Sequence, residues 1–517
     1  MEAKRPSLDQ VIFFVTVLVA GLCSLIYELL ISTTSSYFLG DSIKQFSLTI
    51  GVYMAAMGLG AYLTKFLPDQ LPEWFVRIEI MLGIVGGASV PILYFAFDRL
   101  STGEYQFVML GLTFLIGVLT GCEIPILIRI LKTHYPLKSN LAYVLGLDYI
   151  GALVATLIFP FLLLPYAGTF RTSILFGLVN ILLGLFIYRH FIAQLSLKKK
   201  RSLEIWAVVS VLFFVALGSY SGKLLKHWED NFFTSRIIYS EQTPYQNLVL
   251  TKNQADVRLY INRIIQFSSI DEYRYHESLA HIPLNAAPYK ENVLILGGGE
   301  GLLAREVLKH TQVKKITLVD LDEKVFELGK NNPYIKAVNE NALSDPRVKL
   351  VVQDAMSFLS ETQEQFDLII ADLPDPSNES LARLYSTAFF RLMKERLSAN
   401  GVFATQASSP FHTRNAYWCI YESIKSAGFG YVHPYHVYVP SFGDWGFVAA
   451  SNYPIEPSQL DHQKTYRYLD STIVSQMFYF GKDIANPGNL EINQLDRPAL
   501  LSYFLTDWEK WRQEKKH

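Results

Sequence analysis

Acidic residues recur where successive apolar runs end in the C-terminal half of the chain. The first run, VLILGGGEG, ends in a glycine turn that contains a glutamate, three later runs end in aspartates, and a fourth ends in Gln406. The carboxylates at these run ends are Glu300, Asp320, Asp322, Asp354, Asp372 and Asp375. In an open parallel sheet the ligand lies at the carboxyl ends of the strands, so these groups would converge on one crevice. Crowded like charges are costly unless a ligand neutralises them, so the pattern predicts a site for a cationic small molecule.

The glycine turn limits what that molecule can be. Gly297 and Gly299 would let a ligand approach the backbone closely, as in nucleotide sites. Glu300 would repel a pyrophosphate or a free carboxylate, and it would hold a tail that ends in an ammonium group. Asp320 follows the glycines by about 20 residues, the spacing at which an acid binds ribose hydroxyls, and Asp354 lies where an adenine amino group would be bound. We therefore expect a nucleoside with a positively charged tail.

Short apolar runs alternate with amphipathic helical stretches from Asn292 onward, which is typical of a parallel, doubly wound α/β sheet. The predicted strands are NVLILGGG, KKITLVDLD, RVKLVVQDA, FDLIIADLPDP and GVFATQASS. Ahead of them, over 236–268, two runs of alternating polarity predict a small antiparallel β unit. We place this unit and its linker in 223–290 and the α/β domain in 291–517.

The N-terminal part, 1–222, is dominated by long apolar runs, and the whole chain has 50% apolar residues and a mean hydropathy of +0.20. About seven of these runs approach the ~20 residues that a helix needs to cross a bilayer. They begin near Val11, Phe46, Phe75, Phe107, Ala142, Thr172 and Leu203. The segment before Phe13 has no small-residue cleavage site, which predicts a retained helix and not a signal peptide. The sequence therefore predicts a multi-pass α-helical domain in the cell membrane.

Basic residues flank these runs on one predicted side of the membrane. They are Lys4, Arg5, Arg129, Lys132, Lys138 and the segment Leu197–Arg201. If the helices alternate in direction, the excess of positive charge makes that side cytoplasmic, and a seventh crossing would place the C-terminal half outside. The last run, Leu203–Ser219, is the shortest, so lying in the interface or re-entering are open alternatives to crossing.

Composition argues against several classes of function. The net charge of −1 gives no basic field for nucleic acid. Cys23, Cys122 and Cys419 lie far apart without metal-ligand spacing, and His276 in YRYHE has no companion at such spacing. We therefore predict neither a disulfide framework, nor a metal site, nor a nucleic-acid partner.

About Ser240 to Ile484, the chain resembles the spermidine synthase family, the polyamine aminopropyltransferases. The motifs that carry the resemblance are TPYQNLVL, LYINRIIQFSSIDEYRYHESLAHIPL, VLILGGGEG, VDLD, QDA, DLPDP, LYSTAFF, TQASSP and PSFGDWGF. The apolar half looks like the multi-pass module of membrane-bound members. The resemblance implies a Rossmann-like, class I methyltransferase-like domain that moves the aminopropyl group of decarboxylated S-adenosylmethionine to an amine. The acceptor would be putrescine or a related polyamine, methylthioadenosine would be the second product, and no cofactor would be needed.

The resemblance also implies roles for individual residues. Those that would bind the donor are Gln246, His276, Gly297, Gly299, Glu300, Asp320, Leu321, Asp354 and Ala355. Asp372 would be the catalytic base, and Tyr275 a second catalytic residue that also shapes the amine pocket. Those that would bind the acceptor are Gln266, Asp271, Asp375 and Gln406.

Three departures from the family pattern lie near the expected acceptor amine or the donor tail. Ile261, Asn262 and Arg263 replace the common LDG, and Phe442 replaces a frequent tyrosine. Glu300 replaces the commonest aspartate. These departures leave the acceptor open, with putrescine, agmatine and longer polyamines as the alternatives.

Two alternatives to aminopropyl transfer stay open on the sequence. A methyltransferase would use intact S-adenosylmethionine, although Glu300 opposes its carboxylate. A polyamine transporter or sensor would use the membrane half, where Glu28, Glu123 and Asp148 lie inside apolar runs and would line a cavity for cations. The alternative, which the sequence supports equally well, is that these acids only cap or cross-link helices, with Arg129 as a partner. We further expect a dimer or tetramer with its catalytic domain on the cytoplasmic face.

Overall fold

The computed structural model describes residues 8–39, 42–68, 70–132, 137–191, 197–233, 235–461 and 465–514. The chain divides into two compact units, Met1–Phe232 and Phe233–His517. The boundary between the two units therefore falls at Phe232, whereas the sequence analysis placed the end of the first domain at residue 222. The boundary lies later because the last helix of unit 1 continues through a polar stretch. Lys4 and Arg5, which the topology prediction uses, lie outside the described residues.

Unit 1 consists of long helices with few polar interruptions. They are α1 (Leu8–Leu39), α2 (Ser42–Leu63), α3 (Leu71–Arg99), α4 (Thr102–Leu131), α5 (Leu137–Ile158), α6 (Leu164–Phe191) and α7 (Leu197–Phe232). Where the chain turns, local signals set the ends: Ser101 accepts from the backbone N–H of Glu104, whose carboxylate accepts in return from the Ser101 N–H at 2.8 Å. The seven predicted apolar runs thus correspond to seven helices in the described part of unit 1.

Six segments of unit 1 are long and apolar enough to cross a membrane, judged by length and composition. One of them, Leu141–His190, has 50 residues and includes most of α5 and of α6. A π-helical turn over Phe159–Leu163 follows α5, and Gly168, with φ 70°, breaks the helical geometry inside α6. At ~1.5 Å per residue, a helix of 50 residues would be more than twice as long as the ~30 Å hydrocarbon core of a bilayer is thick. This segment is therefore long enough for two membrane spans.

The last helix of unit 1 differs from its prediction. The sequence made Leu203–Ser219 the shortest run and a candidate for re-entry, but α7 is a single helix of 36 residues. A hydropathy scan omits the polar residues at both ends of this helix. These residues favour helix, so they extend its backbone hydrogen bonding beyond the apolar run. The run thus contains no turn, and whether it crosses the membrane, re-enters it or lies in the interface stays a prediction.

The polar residues inside unit 1 form contacts that the sequence did not predict. Glu123 is buried, while Arg129 donates to the carbonyl of Thr64 at 2.8 Å, so these two residues are not the predicted pair. Glu79, which is fully buried, accepts from the Asn180 amide at 2.8 Å. Gly60 packs closely against α4, since a Cβ there would lie 2.1 Å from the Val118 carbonyl, whereas a Cβ at Gly58 would meet nothing within 4 Å.

Unit 2 begins with a four-stranded antiparallel sheet in the order β1-β2-β3-β4. Its strands are β1 (Arg236–Gln242), β2 (Asn247–Asn253), β3 (Asp256–Ile261) and β4 (Ile264–Ser268). Between β3 and β4, Asn262 and Arg263 adopt φ of 50° and 69°, the geometry that a two-residue hairpin turn of type I′ requires. The predicted small antiparallel unit is thus present, and each of its two predicted runs forms a hairpin.

The second sheet of unit 2 has seven strands in the order β10-β11-β9-β8-β5-β6-β7. The strands are β5 (Asn292–Gly297), β6 (Lys315–Asp320), β7 (Val348–Val352), β8 (Phe366–Asp372), β9 (Leu397–Gln406), β10 (Tyr431–Val439) and β11 (Gly443–Ser451). β5 to β9 are parallel, and the β10–β11 hairpin adds to the edge in antiparallel orientation. All five predicted parallel strands are confirmed.

Helices connect and cover this sheet in a Rossmann-like arrangement. They are α8 (Glu272–Ala286), α9 (Leu302–Leu308), α10 (Glu323–Asn331), α11 (Pro333–Val338), α12 (Ala355–Glu361), α13 (Glu379–Ala382), α14 (Thr387–Arg396), α15 (Arg414–Ser426), α16 (Ser471–Met477) and α17 (Ala499–Glu514). The strand order reverses between β5 and β8, where Gly297 and Asp372 are paired in register. Such a reversal leaves a crevice beyond the strand ends, and this is where α/β folds bind ligands.

Candidate active site

A cavity opens at the carboxyl ends of β5, β6, β7 and β8, and all but two of the predicted site residues line it. Those that line it are Gln246, Gln266, Tyr275, His276, Gly297, Glu300, Asp320, Leu321, Asp354, Ala355, Asp372, Asp375 and Gln406. The two exceptions are Gly299 and Asp271. The parallel sheet therefore brings together the acids that follow separate strands, as the sequence predicted.

The glycine turn after β5 is required by the neighbouring strand as much as by a ligand. Gly297 and Gly298 adopt φ of 81° and 65°, which side chains rarely tolerate. A Cβ at Gly297 would lie 2.1 Å from the carbonyl oxygen of Asp372 on β8. The close approach that glycine permits here is thus between two strands, and it places the Asp372 side chain at the floor of the cavity.

We expect Gly297→Ala to destabilise unit 2 and abolish activity. The added methyl group would combine a strained φ with an overlap against the backbone of β8, at a cost of about 2–4 kcal/mol. Gly298→Ala is the matched control, because its Cβ would meet the Asp372 carboxylate at 3.1 Å and no backbone atom so closely. Thermal unfolding of the full-length protein in detergent should show a larger loss for Gly297→Ala than for Gly298→Ala, and equal melting temperatures would contradict this account.

Asp320 ends β6 with its carboxylate held by two backbone donors. The N–H of Gly299 donates to Oδ2 at 3.1 Å, and the N–H of Asp322 donates to Oδ1 at 3.0 Å. Burial raises the pKa of Asp320 to about 6 despite these hydrogen bonds. Gly299 does not line the cavity. Its contribution is to orient Asp320, since a Cβ on Gly299 would lie 2.7 Å from Oδ2.

Asp322 links the four-stranded sheet to the cavity, a role that the sequence did not reveal. Its Oδ2 accepts from the Gln246 amide at 3.0 Å and from the Thr243 hydroxyl at 2.7 Å. Gln246 follows β1 at a distance of 76 residues from Asp322 along the chain. Only the tertiary fold brings these groups together, so no local spacing could have predicted the contact.

Asp354 lines the cavity while both of its oxygens already have partners. Its Oδ1 accepts from the backbone N–H of Ser357 at 3.0 Å and so caps the N-terminus of α12. Its Oδ2 forms an ion pair with Arg383. Asp354 therefore caps a helix, and its contact with an adenine amino group stays a prediction.

Three acceptor groups face one another beside the glycine turn. Nε2 of His276 lies 3.9 Å from Oε1 of Glu300, and these atoms together with a carboxylate oxygen of Asp372 all lie within 4.8 Å of one another. Burial, together with the charge of Asp372, raises the pKa of Glu300 to about 7. Burial also raises the pKa of Asp372, although His276 and a hydrogen bond from Tyr275 act in the opposite direction. The group is poised to accept hydrogen bonds from a cation.

Tyr275 and Asp375 line the cavity together with Asp372. The Tyr275 hydroxyl donates to Oδ1 of Asp372 at 2.6 Å and so fixes the orientation of this carboxylate. Asp375 is buried, its Oδ1 has no hydrogen-bond partner in the described part of the chain, and burial raises its pKa to about 7. A buried acceptor without a donor is costly, so Asp375 is prepared for a ligand that supplies one.

Gln406 shapes the cavity wall through its own hydrogen bonds. Its amide donates to the carbonyl of Leu373 at 2.6 Å and to the hydroxyl of Tyr385, and its side-chain carbonyl accepts from the N–H of Ser408 at 2.8 Å. Because both ends of the amide are engaged, Gln406 fixes the segment that carries Asp375. This arrangement suits a shaping role, and a direct contact of Gln406 with an amine stays a prediction.

Asp271 is the predicted acceptor-binding residue that lies elsewhere. Its two oxygens accept from the backbone N–H and the hydroxyl of Ser441, at 2.7 and 2.9 Å. The residue is buried at the start of α8 and ties this helix to the turn between β10 and β11. Asp271 does not line the cavity, whereas Tyr275 and His276 of the same motif do, and its role in binding an amine stays a prediction.

Apolar and aromatic side chains complete the cavity wall. Ile261, Ile264, Phe442 and Trp445 line it, and the rings of Phe442 and Trp445 lie 5.2 Å apart. The departures noted at Ile261 and Phe442 therefore do lie at the cavity. Trp445 lies near the start of β11, where it packs against the hydrophobic core and also lines the cavity.

The fold and this acidic cavity are those of an α/β protein suited to a nucleoside with a cationic tail. A family model described as the spermine/spermidine synthase domain matches residues 272–458. The polyamine aminopropyltransferase of Leptospira interrogans is 41% identical over 501 residues, 97% of this chain and 99% of that protein. Polyamine aminopropyltransferase 2 of Ralstonia nicotianae is 40% identical over 502 residues, 95% of this chain and 97% of that protein.

The chain belongs to the polyamine aminopropyltransferase family and is a transferase. The relatives match its helical half as well as its catalytic half, since the alignments cover nearly the whole length of both chains. Among solved structures, a spermidine synthase in complex with the transition-state analogue AdoDATO is 28% identical, covers 48% of this chain and 86% of that chain, and gives a TM-score of 0.45. The relatives from Leptospira interrogans and Ralstonia nicotianae confirm the family that the sequence motifs predicted.

Proposed function

We propose that this enzyme transfers the aminopropyl group of decarboxylated S-adenosylmethionine to an amine and releases methylthioadenosine. The observation that carries the proposal is the set of three acceptors, His276, Glu300 and Asp372, beside a glycine turn in a nucleoside-type cavity. A donor that ends in an ammonium group satisfies these acceptors. Intact S-adenosylmethionine would instead place a carboxylate near Glu300, so family membership and electrostatics both favour aminopropyl transfer over methyl transfer.

The reaction is a displacement at the propyl carbon that bears the sulfonium. The nitrogen of the acceptor forms the new C–N bond while the C–S bond breaks, and the sulfur leaves as a neutral thioether. Amines of this type are mostly protonated at neutral pH, as lysine is with a pKa of about 10.4, so one proton must be removed from the attacking nitrogen. Asp372 is the base in this proposal, and the Tyr275 hydroxyl on Oδ1 leaves Oδ2 to take the proton.

The acceptor would lie between Asp375 and the apolar wall. Its remote ammonium group would bind the buried Oδ1 of Asp375, and its methylene groups would pack on Ile261, Phe442 and Trp445. Anchoring both ends places the reactive nitrogen in line with the breaking bond, and such positioning can contribute several kcal/mol. Putrescine and related polyamines all offer this pattern of ammonium groups and methylene spacers.

A product assay tests the whole proposal. Purified full-length protein in detergent would receive decarboxylated S-adenosylmethionine with putrescine, cadaverine, agmatine or spermidine, and mass spectrometry would detect products. We expect methylthioadenosine together with an aminopropyl adduct of at least one amine. If the protein binds the donor and forms no methylthioadenosine with any amine, the proposed function is wrong and a binding or transport role takes its place.

The helical unit would anchor the enzyme in the cell membrane with its catalytic unit in the cytoplasm. The apolar helices α1 to α7 support the anchoring, and the cytoplasmic supply of donor and polyamines supports the orientation. An odd number of crossings puts the chain ends on opposite sides, so this orientation requires an N-terminus outside or one helix that does not cross. A C-terminal fusion to alkaline phosphatase, active only outside the cytoplasm, should be inactive; an active fusion would contradict the orientation.

Two further predictions concern assembly and transport. A dimer or tetramer is expected from the resemblance to soluble members, and the mass of the detergent-solubilised protein by light scattering would test it.

Transport through unit 1 would use Glu28, Glu123 and Asp148. Glu123 is buried and the other two are half-buried. Unchanged polyamine flux in Glu28→Gln and Glu123→Gln would end the transport hypothesis.

A further inference from the structure

His276 faces the cavity from α8, and a chain of buried charged groups stands behind it. Its Nδ1 lies 2.8 Å from Oε2 of Glu272 and 2.9 Å from the backbone carbonyl of the same residue. The Arg305 guanidinium on α9 holds the Glu272 carboxylate by two hydrogen bonds, at 3.0 and 2.9 Å. Glu272 and His276 are each 2% exposed and Arg305 is 8% exposed, so water contributes little to these contacts.

The partners of Nδ1 decide which nitrogen of His276 carries its proton. A backbone carbonyl can only accept, and a carboxylate paired with arginine is ionised and can only accept as well. Nδ1 must therefore be the donor, in the neutral ring as in the charged one. Burial lowers the pKa of His276, but the carboxylates of Glu272, Asp372 and Glu300 outweigh it and raise the pKa above its usual value. An ammonium group in the cavity opposes that second positive charge, and the neutral ring then presents the lone pair of Nε2 to it, 3.9 Å from Glu300.

This orientation matters because the cavity is built for a cation. Nε2 faces Glu300 from the turn after β5 and Asp372 from the end of β8, while Tyr275 is its neighbour on α8. With its lone pair exposed, Nε2 accepts a hydrogen bond from an ammonium group together with these two carboxylates. With its proton on Nε2, the ring would point an N–H at the same ammonium group and oppose its binding.

We propose that Glu272, held by Arg305, is a positioning residue that fixes His276 with the lone pair of Nε2 toward the ammonium group of the donor tail. This inference rests on the proposed function, because it requires a donor with a cationic tail. Glu272 acts through His276 and does not line the cavity. The bidentate contact with Arg305 keeps the Glu272 carboxylate ionised and in place, as outer groups do for the imidazole ligands of metal sites.

The energetic balance favours a geometric role over a stabilising one. Buried ion pairs are often no more stabilising than well-packed apolar groups, so this pair is weak evidence for stability by itself. Arg305 also donates to Glu306 at 2.8 Å, and Glu306 in turn contacts His281 at 2.9 Å. The network therefore offers a comparison, since Glu306 shares Arg305 with Glu272 but does not contact His276.

The test compares a ligand with the cationic tail and one without it. In Glu272→Gln, Nδ1 keeps the backbone carbonyl as an acceptor but loses the ionised carboxylate. The glutamine amide can also donate to Nδ1, so the preference for a proton on Nδ1 over one on Nε2 weakens. Losing a hydrogen bond between charged groups corresponds to about 10-fold or more in affinity. We expect the KM for decarboxylated S-adenosylmethionine to rise about 10-fold with kcat nearly unchanged, while the inhibition constant of methylthioadenosine, which lacks the ammonium group, stays within about 2-fold of the wild-type value.

Controls separate positioning from loss of folding and from failure of the proposed function. Glu306→Gln should lower the melting temperature and leave the donor KM unchanged. If Glu272→Gln does not fold, Arg305→Lys provides the second variant, because it keeps a cation and loses the two-point contact; its donor KM should rise without loss of methylthioadenosine binding. Equal weakening of both ligands, or an unchanged donor KM in a folded variant, would overturn the inference. An inactive wild-type protein would instead refute the proposed function.

Discussion

Asp372→Asn is expected to lower kcat by about 100-fold or more while leaving donor binding intact. The acceptor amine must lose a proton as it attacks, and a positioned general base contributes about 10²–10⁴-fold to such a step. Asparagine has nearly the same shape, so the hydrogen bond with Tyr275 and the pairing with Gly297 can persist. Initial rates of methylthioadenosine formation at saturating donor and amine would measure the loss.

The pH dependence of the variant distinguishes a base from a residue that only anchors the amine. If Asp372 takes the proton, raising the pH should restore part of the lost activity, because more of the acceptor is then present as the free amine. Tyr275→Phe is the companion variant, since it removes the donor to Oδ1 and leaves the carboxylate. We expect it to lower kcat less than Asp372→Asn does. Near-normal turnover of Asp372→Asn would remove this residue from the role of base.

Glu300→Gln is expected to raise the donor KM by about 10- to 100-fold. A charge-assisted hydrogen bond in a buried site contributes about 1.5–3 kcal/mol, which corresponds to that range of affinity. Because burial and the charge of Asp372 raise the pKa of Glu300 to about 7, only part of it is ionised at neutral pH. The ionised form binds the cationic tail, so donor binding by the wild-type enzyme should strengthen as the pH rises through 7. This part of the pH dependence should disappear in Glu300→Gln.

Glu300→Asp is the matched control for the charge. It keeps the carboxylate that the family most often places at this position, and we expect it to retain most of the donor affinity. Methylthioadenosine should bind Glu300→Gln as well as it binds the wild-type enzyme, because it has no ammonium group. A donor KM that is the same in Glu300→Gln and the wild-type enzyme would mean that the tail is bound elsewhere.

The periodicity of apolar residues was sufficient to predict the parallel sheet and the gathering of its acids. In a parallel sheet every strand ends at the same edge, so residues that follow different strands become neighbours without any knowledge of the strand order. Glu300, Asp320, Asp354 and Asp372 could therefore be assigned to one cavity from the sequence. The seven helices of unit 1 could also be predicted from their apolar runs, because a helix in an apolar environment needs a continuous run of apolar side chains.

Residues away from the strand ends could not be assigned in this way. Asp271 lies in the same motif as Tyr275 and His276, yet its carboxylate binds Ser441, which is 170 residues away along the chain. Trp445 has the pattern of a core residue and nevertheless lines the cavity, since its orientation depends on how the β10–β11 hairpin packs over the sheet. Motif membership specifies a neighbourhood, whereas contacts between distant segments decide which side chain enters the cavity.

The sequence by itself determined the family, the α/β sheet and the convergence of carboxylates on a cationic ligand, because these follow from local periodicity and from the geometry common to all parallel sheets. Only the tertiary structure decided how those carboxylates are oriented and which groups contact them. It set Asp320 on the N–H of Gly299, placed Tyr275 on Asp372, and put the Arg305–Glu272 pair behind His276. Such contacts join segments far apart in the chain, and their distances depend on the packing of whole elements, which no local pattern of residues encodes.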